Sequence, residues 1–122
     1  MSASVASDVR RAVDYIEAHL TAPVTLGDVV QAAGMSGRGL FRHFRRAMGT
    51  SPMVYLREAR FARVRDALRR ACGDERIVDI AALWGFDHMG RFAVEYRQRF
   101  GEKPSDTRAS ARRARILTAV GR

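Results

Sequence analysis

The 122-residue sequence predicts an all-α protein of about seven helices, arranged as two helix-turn-helix subdomains joined by a long linker helix. Three observations lead to this prediction. Apolar residues recur at helical spacing along most of the chain. No segment has the alternation and turn dipeptides of a β-hairpin. A pattern of short helix, glycine-centred turn and second helix occurs twice.

In the first half of the chain, polar caps and glycines set the ends of three helices. Side chains that accept hydrogen bonds from free N–H groups favour helix starts, and glycine favours the left-handed residue that ends a helix. Between these caps, Ile16, Val29, Leu40 and Phe44 are predicted to face the core. The predicted N-terminal caps are Ser7, Thr25 with its capping-box partner Asp28, and Ser36, and the predicted C-terminal caps are Gly34 and Gly49.

The second half begins with a long helix. Ser51 followed by Pro52 marks its start, and the break at residues 72–74 ends it. Two shorter helices follow, at about residues 75–84 and 89–100. The predicted divisions are an N-terminal helix-turn-helix subdomain at 7–50, a linker helix at 51–72, a C-terminal helix-turn-helix subdomain at 73–108 and a basic tail at 109–122.

Residues 26–52 and 77–104 repeat one pattern, with one extra residue after the turn of the second copy. The paired positions include Asp28 with Asp79, Gly34 with Gly85, Leu40 with Phe92, Phe44 with Tyr96, Gly49 with Gly101, and Pro52 with Pro104. A single helix-glycine-helix hairpin is common in plain bundles. Two copies with basic second helices favour helix-turn-helix units, in which the second helix enters the major groove of DNA.

The charge balance indicates a polyanionic partner. Lys and Arg number 22 against 13 acidic residues, which gives a net charge of +9 and a pI near 11.3. This surplus fits DNA, RNA or an anionic membrane surface. Lys103 is the only lysine, and the planar fork of arginine can bind phosphate or a guanine edge with two hydrogen bonds.

Residues that could carry other chemistry are sparse. The single cysteine, Cys72, excludes an internal disulfide and a cysteine-rich zinc site. His19, His43 and His88 have no cysteine or carboxylate at ligand spacing, and no glycine-rich phosphate loop follows a strand. Trp84 is predicted to lie in the core. The sequence therefore predicts no enzyme, no metal and no cofactor.

No apolar run approaches the length of a membrane span, and the N-terminal segment MSASVASDVRR lacks the apolar part of a signal peptide. Together with the low cysteine content, these features predict a cytoplasmic protein without a membrane partner.

Two stretches of the sequence resemble the DNA-binding domain of the AraC/XylS family. The segment TLGDVVQAAGMSGRGLFRHFRRAMGTSPMVYLREAR is similar to its first half, and DIAALWGFDHMGRFAVEYRQRFGEKPS to its second. The resemblance covers about residues 8–108. It implies two helix-turn-helix units on a rigid linker helix, bound in successive major grooves of bacterial promoter DNA, and activation of transcription through RNA polymerase.

Two residues depart from the family pattern. Arg76 replaces the usual Ser or Thr before the fifth helix, so that cap is expected to be weak unless Asp74 provides it. Thr107 replaces an aromatic residue, so the C-terminal end is expected to be loosely held.

The family's sensing domain has no counterpart here, so the chain is expected to be a short member or part of a longer protein. A monomer would suffice for binding DNA, and dimerisation is left open because the family's dimer contacts often lie in the missing domain.

The candidate DNA contacts of the first copy lie opposite the core-facing side of its second helix. Arg38 and Arg42 are predicted to bind guanine edges, Phe41 to contact a thymine methyl, and Arg45 to meet phosphate. The alternative for Phe41 is partial burial under the first helix. Ser36, Gly37 and Gly39 start this helix, and glycine there would let its N–H groups approach phosphate closely.

The second copy has Gly90 and Val94 where the first has Arg38 and Arg42. This difference predicts that the two units recognise DNA unequally, and that the first forms most of the hydrogen bonds that give sequence specificity. His88 is predicted to be a polar contact, and its alternative is a turn residue that touches only water. The full set of predicted DNA-binding residues is Ser36, Gly37, Arg38, Phe41, Arg42, Arg45, His88, Met89, Arg91, Val94 and Arg97.

Arginines outside the two recognition helices are assigned other roles. Arg60 lies on the apolar side of the linker helix and is expected to form a salt bridge or an N-cap contact. The tail arginines are expected to attract phosphate or to belong to a frayed end; they are Arg108, Arg112, Arg113 and Arg115. Two other functions remain open, namely a non-specific architectural nucleic-acid binder and a helical module that binds an acidic protein.

Overall fold

The computed structural model describes residues 3–71 and 73–121, apart from the side chains of residues 3–6. These residues form seven helices and no strand, so the predicted all-α class is confirmed. Cys72, on which part of the sequence argument depends, lies outside the described residues. The helices are α1 (Ala3–Ala18), α2 (Leu26–Ala33), α3 (Gly37–Met48), α4 (Pro52–Arg70), α5 (Ile77–Leu83), α6 (Met89–Phe100) and α7 (Pro104–Val120).

The chain divides into two compact units, residues 1–60 and 61–122, and the boundary falls inside α4. The long helix predicted at 51–72 therefore contributes its first part to one unit and its second part to the other. The subdomain boundaries predicted from the sequence remain predictions.

In the first unit, α1, α2 and α3 pack against one another. Val29, Leu40 and Phe44 are fully buried there, as their spacing predicts. Tyr55 on α4 meets Phe44 edge to face, with ring centroids 5.8 Å apart, and its hydroxyl donates to Glu17 at 2.8 Å. These contacts fix the inner side of α3, so its other side is left facing outward.

The second unit has an aromatic core. Phe61 stacks on Phe92 with centroids 5.7 Å apart, and Phe86 lies 4.5 Å from Phe61 and 5.0 Å from Phe92. The Arg99 guanidinium lies 4.1 Å from the Phe61 ring centroid, within the range of a cation–π contact. The inner side of α6 is thereby fixed, as that of α3 is in the first unit.

Most of the predicted caps are present. The Thr25 hydroxyl accepts from Asp28 N at 3.1 Å while the Asp28 carboxylate accepts from Thr25 N at 2.9 Å. Gly34 and Gly49 both have φ of 74°, a conformation that strains residues with a Cβ. The Ser7 cap is wrong, because α1 already begins at Ala3 and Ser7 instead accepts from Arg11 at 3.1 Å.

The fifth helix is shorter than predicted, since it covers Ile77–Leu83 rather than 75–84. Arg76 occupies its N-cap without a side-chain cap hydrogen bond, as the departure from the family pattern predicts. Its guanidinium instead pairs with Asp79 at 3.1 Å. Trp84 lies one residue past the helix and packs partly buried against the core of the second unit.

The C-terminal end differs from the prediction, because α7 continues to Val120 through the residues expected to form a tail. Thr107 anchors it. This residue is 3% exposed, its hydroxyl lies 2.7 Å from the Tyr96 hydroxyl, and it donates to the Glu102 carboxylate. A threonine can replace an aromatic residue here because it joins a buried polar chain, so the expected loose end is wrong.

The capping box of α2 should make stability depend on pH. Hydrogen bonds from the backbone N–H and then the hydroxyl of Thr25 lower the pKa of Asp28 below its ordinary value. A lowered native pKa stabilises the fold at pH values above the unfolded pKa, and this stabilisation is lost as pH falls through the native pKa. We therefore expect Asp28→Asn to destabilise the chain near neutral pH, with a difference that shrinks below about pH 4. Urea unfolding of both proteins across pH would measure it, and a difference independent of pH would contradict this role.

Candidate nucleic-acid interface

The outer side of α3 is a continuous basic surface. Leu40 and Phe44 are 0% exposed, so residues on the opposite side of the helix face solvent. That side carries four arginines, and no acidic residue occurs anywhere in α3. The predicted contacts Arg38, Phe41, Arg42 and Arg45 are all exposed, as is Arg46, which the sequence argument did not include. Arg46 lies one turn beyond Arg42, and this spacing was the signal that could have identified it.

Phe41 is 47% exposed, so a large part of its ring is open to solvent, and its two predicted roles both stay predictions. The Arg45 guanidinium lies 5.8 Å from its ring centroid, at the outer limit of a cation–π contact. Phe41 therefore offers an apolar surface next to a positive charge.

Gly37 and Gly39, the two glycines at the start of α3, have different surroundings. The Ser36 hydroxyl accepts from Gly39 N at 3.2 Å and caps the helix. A Cβ on Gly37 would lie 3.7 Å from the nearest atom of Val30, whereas one on Gly39 would lie 2.7 Å from Met35 Cε. Gly39 is buried, so it does not face DNA, and a Cβ there would require the end of the Met35 side chain to shift. Gly37 is exposed and remains a candidate for that approach.

The outer side of α6 is less basic and more apolar. Arg91 and Arg97 are exposed, and Val94 between them is 58% exposed. Met89 packs partly buried against the core of the second unit, so it offers less surface than predicted. Arg99 donates to the backbone carbonyl of Glu95 at 3.1 Å and is directed away from this surface.

His88 is the N-cap of α6, because its Nδ1 accepts from Arg91 N at 3.1 Å. The alternative of a turn residue that touches only water is therefore wrong. The two recognition helices match closely: each has 12 residues and ends at a glycine with φ 74° and ψ 7°. Counting back 52 residues aligns His88 with Ser36, the cap of α3, so the repeat itself was the signal that could have revealed this role.

Substitution of His88 separates capping from DNA contact. We expect His88→Ala to lower the free energy of unfolding by about 1 kcal/mol, since alanine cannot accept from the Arg91 N–H, and His88→Ser to retain most of it. Urea unfolding would measure both. Equal losses in the two variants would contradict the cap. A loss of DNA affinity in His88→Ser at unchanged stability would identify a direct contact.

Several basic residues are engaged elsewhere and do not contribute to either outer surface. Arg60 donates to the carbonyls of Leu20 at 3.0 Å and Ala22 at 2.6 Å. This is neither a salt bridge nor an N-cap contact, because the acceptors are carbonyls that follow the end of α1. Burial, and then the charge of Arg57, lowers the pKa of Arg60. Arg11 is also engaged, with the Ala33 carbonyl at 2.8 Å.

The remaining chemistry-bearing residues do not assemble. Among residues 3–71 and 73–121, no group of three His, Cys, Asp or Glu side chains is placed to hold a metal ion. His43 lies with its Nδ1 3.9 Å from an Asp8 carboxylate oxygen. No helix in the described part of the chain is long and apolar enough to cross a membrane.

Two units that each hold a short helix, a glycine turn and an outward-facing basic helix define a helix-turn-helix DNA-binding protein. Comparison with known proteins supports this class. Residues 29–110 match the family model described as a helix-turn-helix domain. A crystal structure of a probable AraC family transcriptional regulator from Rhodopseudomonas palustris superposes with a TM-score of 0.79 at 36% identity, over 86% of this chain and 97% of that one.

Two relatives specify the family further. The chain is 46% identical over 99 residues to a probable thc operon regulatory protein of Rhodococcus erythropolis, covering 80% of this chain and 30% of that protein. It is 40% identical over 98 residues to XylDLEGF operon transcriptional activator 2 of Pseudomonas putida, covering 80% of this chain and 62% of that protein. The chain belongs to the AraC/XylS family of DNA-binding transcription regulators, and it spans less than two thirds of the length of either relative.

Proposed function

We propose that this chain reads promoter DNA by placing α3 and α6 in successive major grooves. One observation carries the proposal: the outer side of α3 presents four exposed arginines and no acid, directly opposite a fully buried Leu40 and Phe44. A recognition helix needs a fixed inner side and a free outer side that can form hydrogen bonds with base edges.

Within α3, the arginines take different roles. Arg38 and Arg42 lie near the middle of the outer side, where each would bind a guanine through O6 and N7. Phe41 would contact a thymine methyl. Arg45 and Arg46 belong to the last turn of the helix and would bind phosphates on the edge of the groove.

The second unit would dock with less base discrimination. Among its exposed residues, Val94 would contact a thymine methyl, and Arg91 and Arg97 would bind phosphate. Met89 would contribute little because the core of its own unit covers part of it. The reader is therefore asymmetric, with hydrogen-bonded specificity concentrated in the first unit.

The relatives suggest the consequence of binding. One is described as an operon regulatory protein and another as an operon transcriptional activator. We extend this role to the present chain as an activator that acts in the cytoplasm and brings RNA polymerase to the promoter. Because one chain carries two reading units, a monomer would suffice to bind DNA.

Selection of bound duplexes from a random pool, at near-physiological salt, tests the proposal. We expect a motif with two elements about one helical turn, ~34 Å, apart, sharper in one element than in the other. The selected site should bind at least ~10³-fold more tightly than random DNA. Tight, steeply salt-dependent binding without enrichment would instead identify an architectural protein, and absence of DNA binding would favour an acidic protein partner.

A further inference from the structure

One side of α7 lies against the connection between α4 and α5, within the second unit. Three arginines on this side each donate to a backbone carbonyl: Arg108 to Glu75, Arg112 to Gly73, and Arg115 to Ala71. We call these three residues the arginine brace. Their spacing of i, i+4 and i+7 places them on one face of the helix. This face therefore contacts the connection at three successive points.

The connection needs such support because it leads into a weakly capped helix. The carbonyls of residues 71, 73 and 75 lie beyond the end of α4 and before α5, where no helix hydrogen bond satisfies them. The N-cap of α5, Arg76, supplies no side-chain hydrogen bond to the helix start. The brace therefore stabilises the connection before α5 from a helix that is distant in sequence, where a capping residue would stabilise the helix start locally.

The same helix also holds the other part of the second helix-turn-helix. Thr107, one residue before the brace begins, lies 2.7 Å from the Tyr96 hydroxyl of α6, and both residues are buried. Helix α7 thus contacts α6 through Thr107 and the connection before α5 through the brace. The connection that leads into α5 and the recognition helix α6 are therefore both held by one helix.

We infer that Arg108, Arg112 and Arg115 are positioning residues for the second recognition helix rather than DNA contacts. Their N–H groups donate to backbone carbonyls of their own unit. They therefore help to orient α6 and do not bind DNA. This inference rests on the proposed two-groove reading, and it replaces the phosphate attraction that the sequence suggests for these three residues.

Arg113 provides a matched control. It is exposed, it lies on a different side of α7, and its side chain forms no hydrogen bond or ion pair with another described residue. Arg112→Met and Arg113→Met thus remove the same charge from adjacent positions of one helix, but only the first removes a brace contact. Arg115→Met, at the exposed end of the brace, is the second variant if Arg112→Met does not fold.

Two measurements on the full chain test the inference. The first is amide hydrogen exchange of α5 without DNA. The second is the ratio of the Kd for a duplex with a scrambled second element to the Kd for the intact selected duplex. We expect Arg112→Met to accelerate exchange in α5 and to lower this ratio about fivefold or more, with the ratio of Arg113→Met within about twofold of the wild type.

Each alternative outcome has a definite meaning. Equal behaviour of Arg112→Met and Arg113→Met in both measurements would overturn the brace. Faster exchange with an unchanged ratio would reduce the brace to a purely structural contact and overturn its positioning role. A wild-type ratio near one would overturn the two-groove reading and the positioning role with it, while the exchange data would still show whether the brace holds α5.

Discussion

Replacement of Arg42 with alanine should lower affinity for the selected duplex by about 10- to 100-fold, while affinity for random DNA falls much less. Arg42 is exposed in the middle of the outer side of α3, and a bidentate contact to guanine is lost completely when the guanidinium is removed. The difference in affinity between the preferred base pair and its substitutes, at one position of the first element, should decrease as well. Competition binding against single-base variants of the site would measure both effects.

Arg46→Ala is the matched control for this prediction. Arg46 is also exposed and basic but belongs to the last turn of α3. Its loss should weaken binding to all duplexes alike and reduce the salt dependence by about one phosphate contact.

In the second unit, Val94→Ala should change base preference less than Arg42→Ala does. If Arg42→Ala and Val94→Ala changed it equally, the asymmetry between the two units would be wrong.

Replacement of Arg60 with methionine should lower the free energy of unfolding by about 2–4 kcal/mol, because it removes two charge-assisted hydrogen bonds and leaves their acceptors unpaired. The acceptors are the carbonyls of Leu20 and Ala22, which follow the end of α1. Leu20 is buried, so water cannot easily replace the guanidinium there. Urea unfolding, followed by circular dichroism, would measure the loss.

Two further variants show whether the loss comes from the fork of Arg60. Arg60→Lys keeps the charge but not the two directed donors, so it should give an intermediate loss. Arg70→Met removes a charge from an exposed position of the same helix and should cost less than about 1 kcal/mol. Equal losses for Arg60→Met and Arg70→Met would mean that the contact with the end of α1 contributes nothing specific.

Local features of the sequence were sufficient to place α2, α3, α4 and α6, whereas most of α7 was predicted as a tail. The caps Thr25 and Ser36 and the terminal glycines Gly34 and Gly49 act within one turn of the chain, so their residue types predicted the helix ends. The start of α1 was placed too late because Ser7 has the residue type of a cap while the helix had already begun. A cap is a favourable option for a helix and does not oblige one to start there.

The candidate DNA-binding surface was predicted well in α3 and less well in α6. In α3, burial of Leu40 and Phe44 follows from helical spacing, and the exposed arginines follow from that burial. In α6, Met89 proved partly covered by its own core and His88 proved to be a cap. The repeat contained the second fact, since His88 aligns with Ser36, but histidine is not among the usual capping residues.

By itself, the sequence determined the class, the repeat and the outward face of the first recognition helix, because periodicity, capping and glycine conformation act over a few residues. Only the tertiary structure decided which arginines are free to bind DNA. Arg60 contacts carbonyls 38 and 40 residues away, and the arginine brace contacts carbonyls 33 to 44 residues away. Any backbone carbonyl can accept from an arginine, so the residue pattern cannot indicate which one is near, and only packing of the helices brings donor and acceptor together.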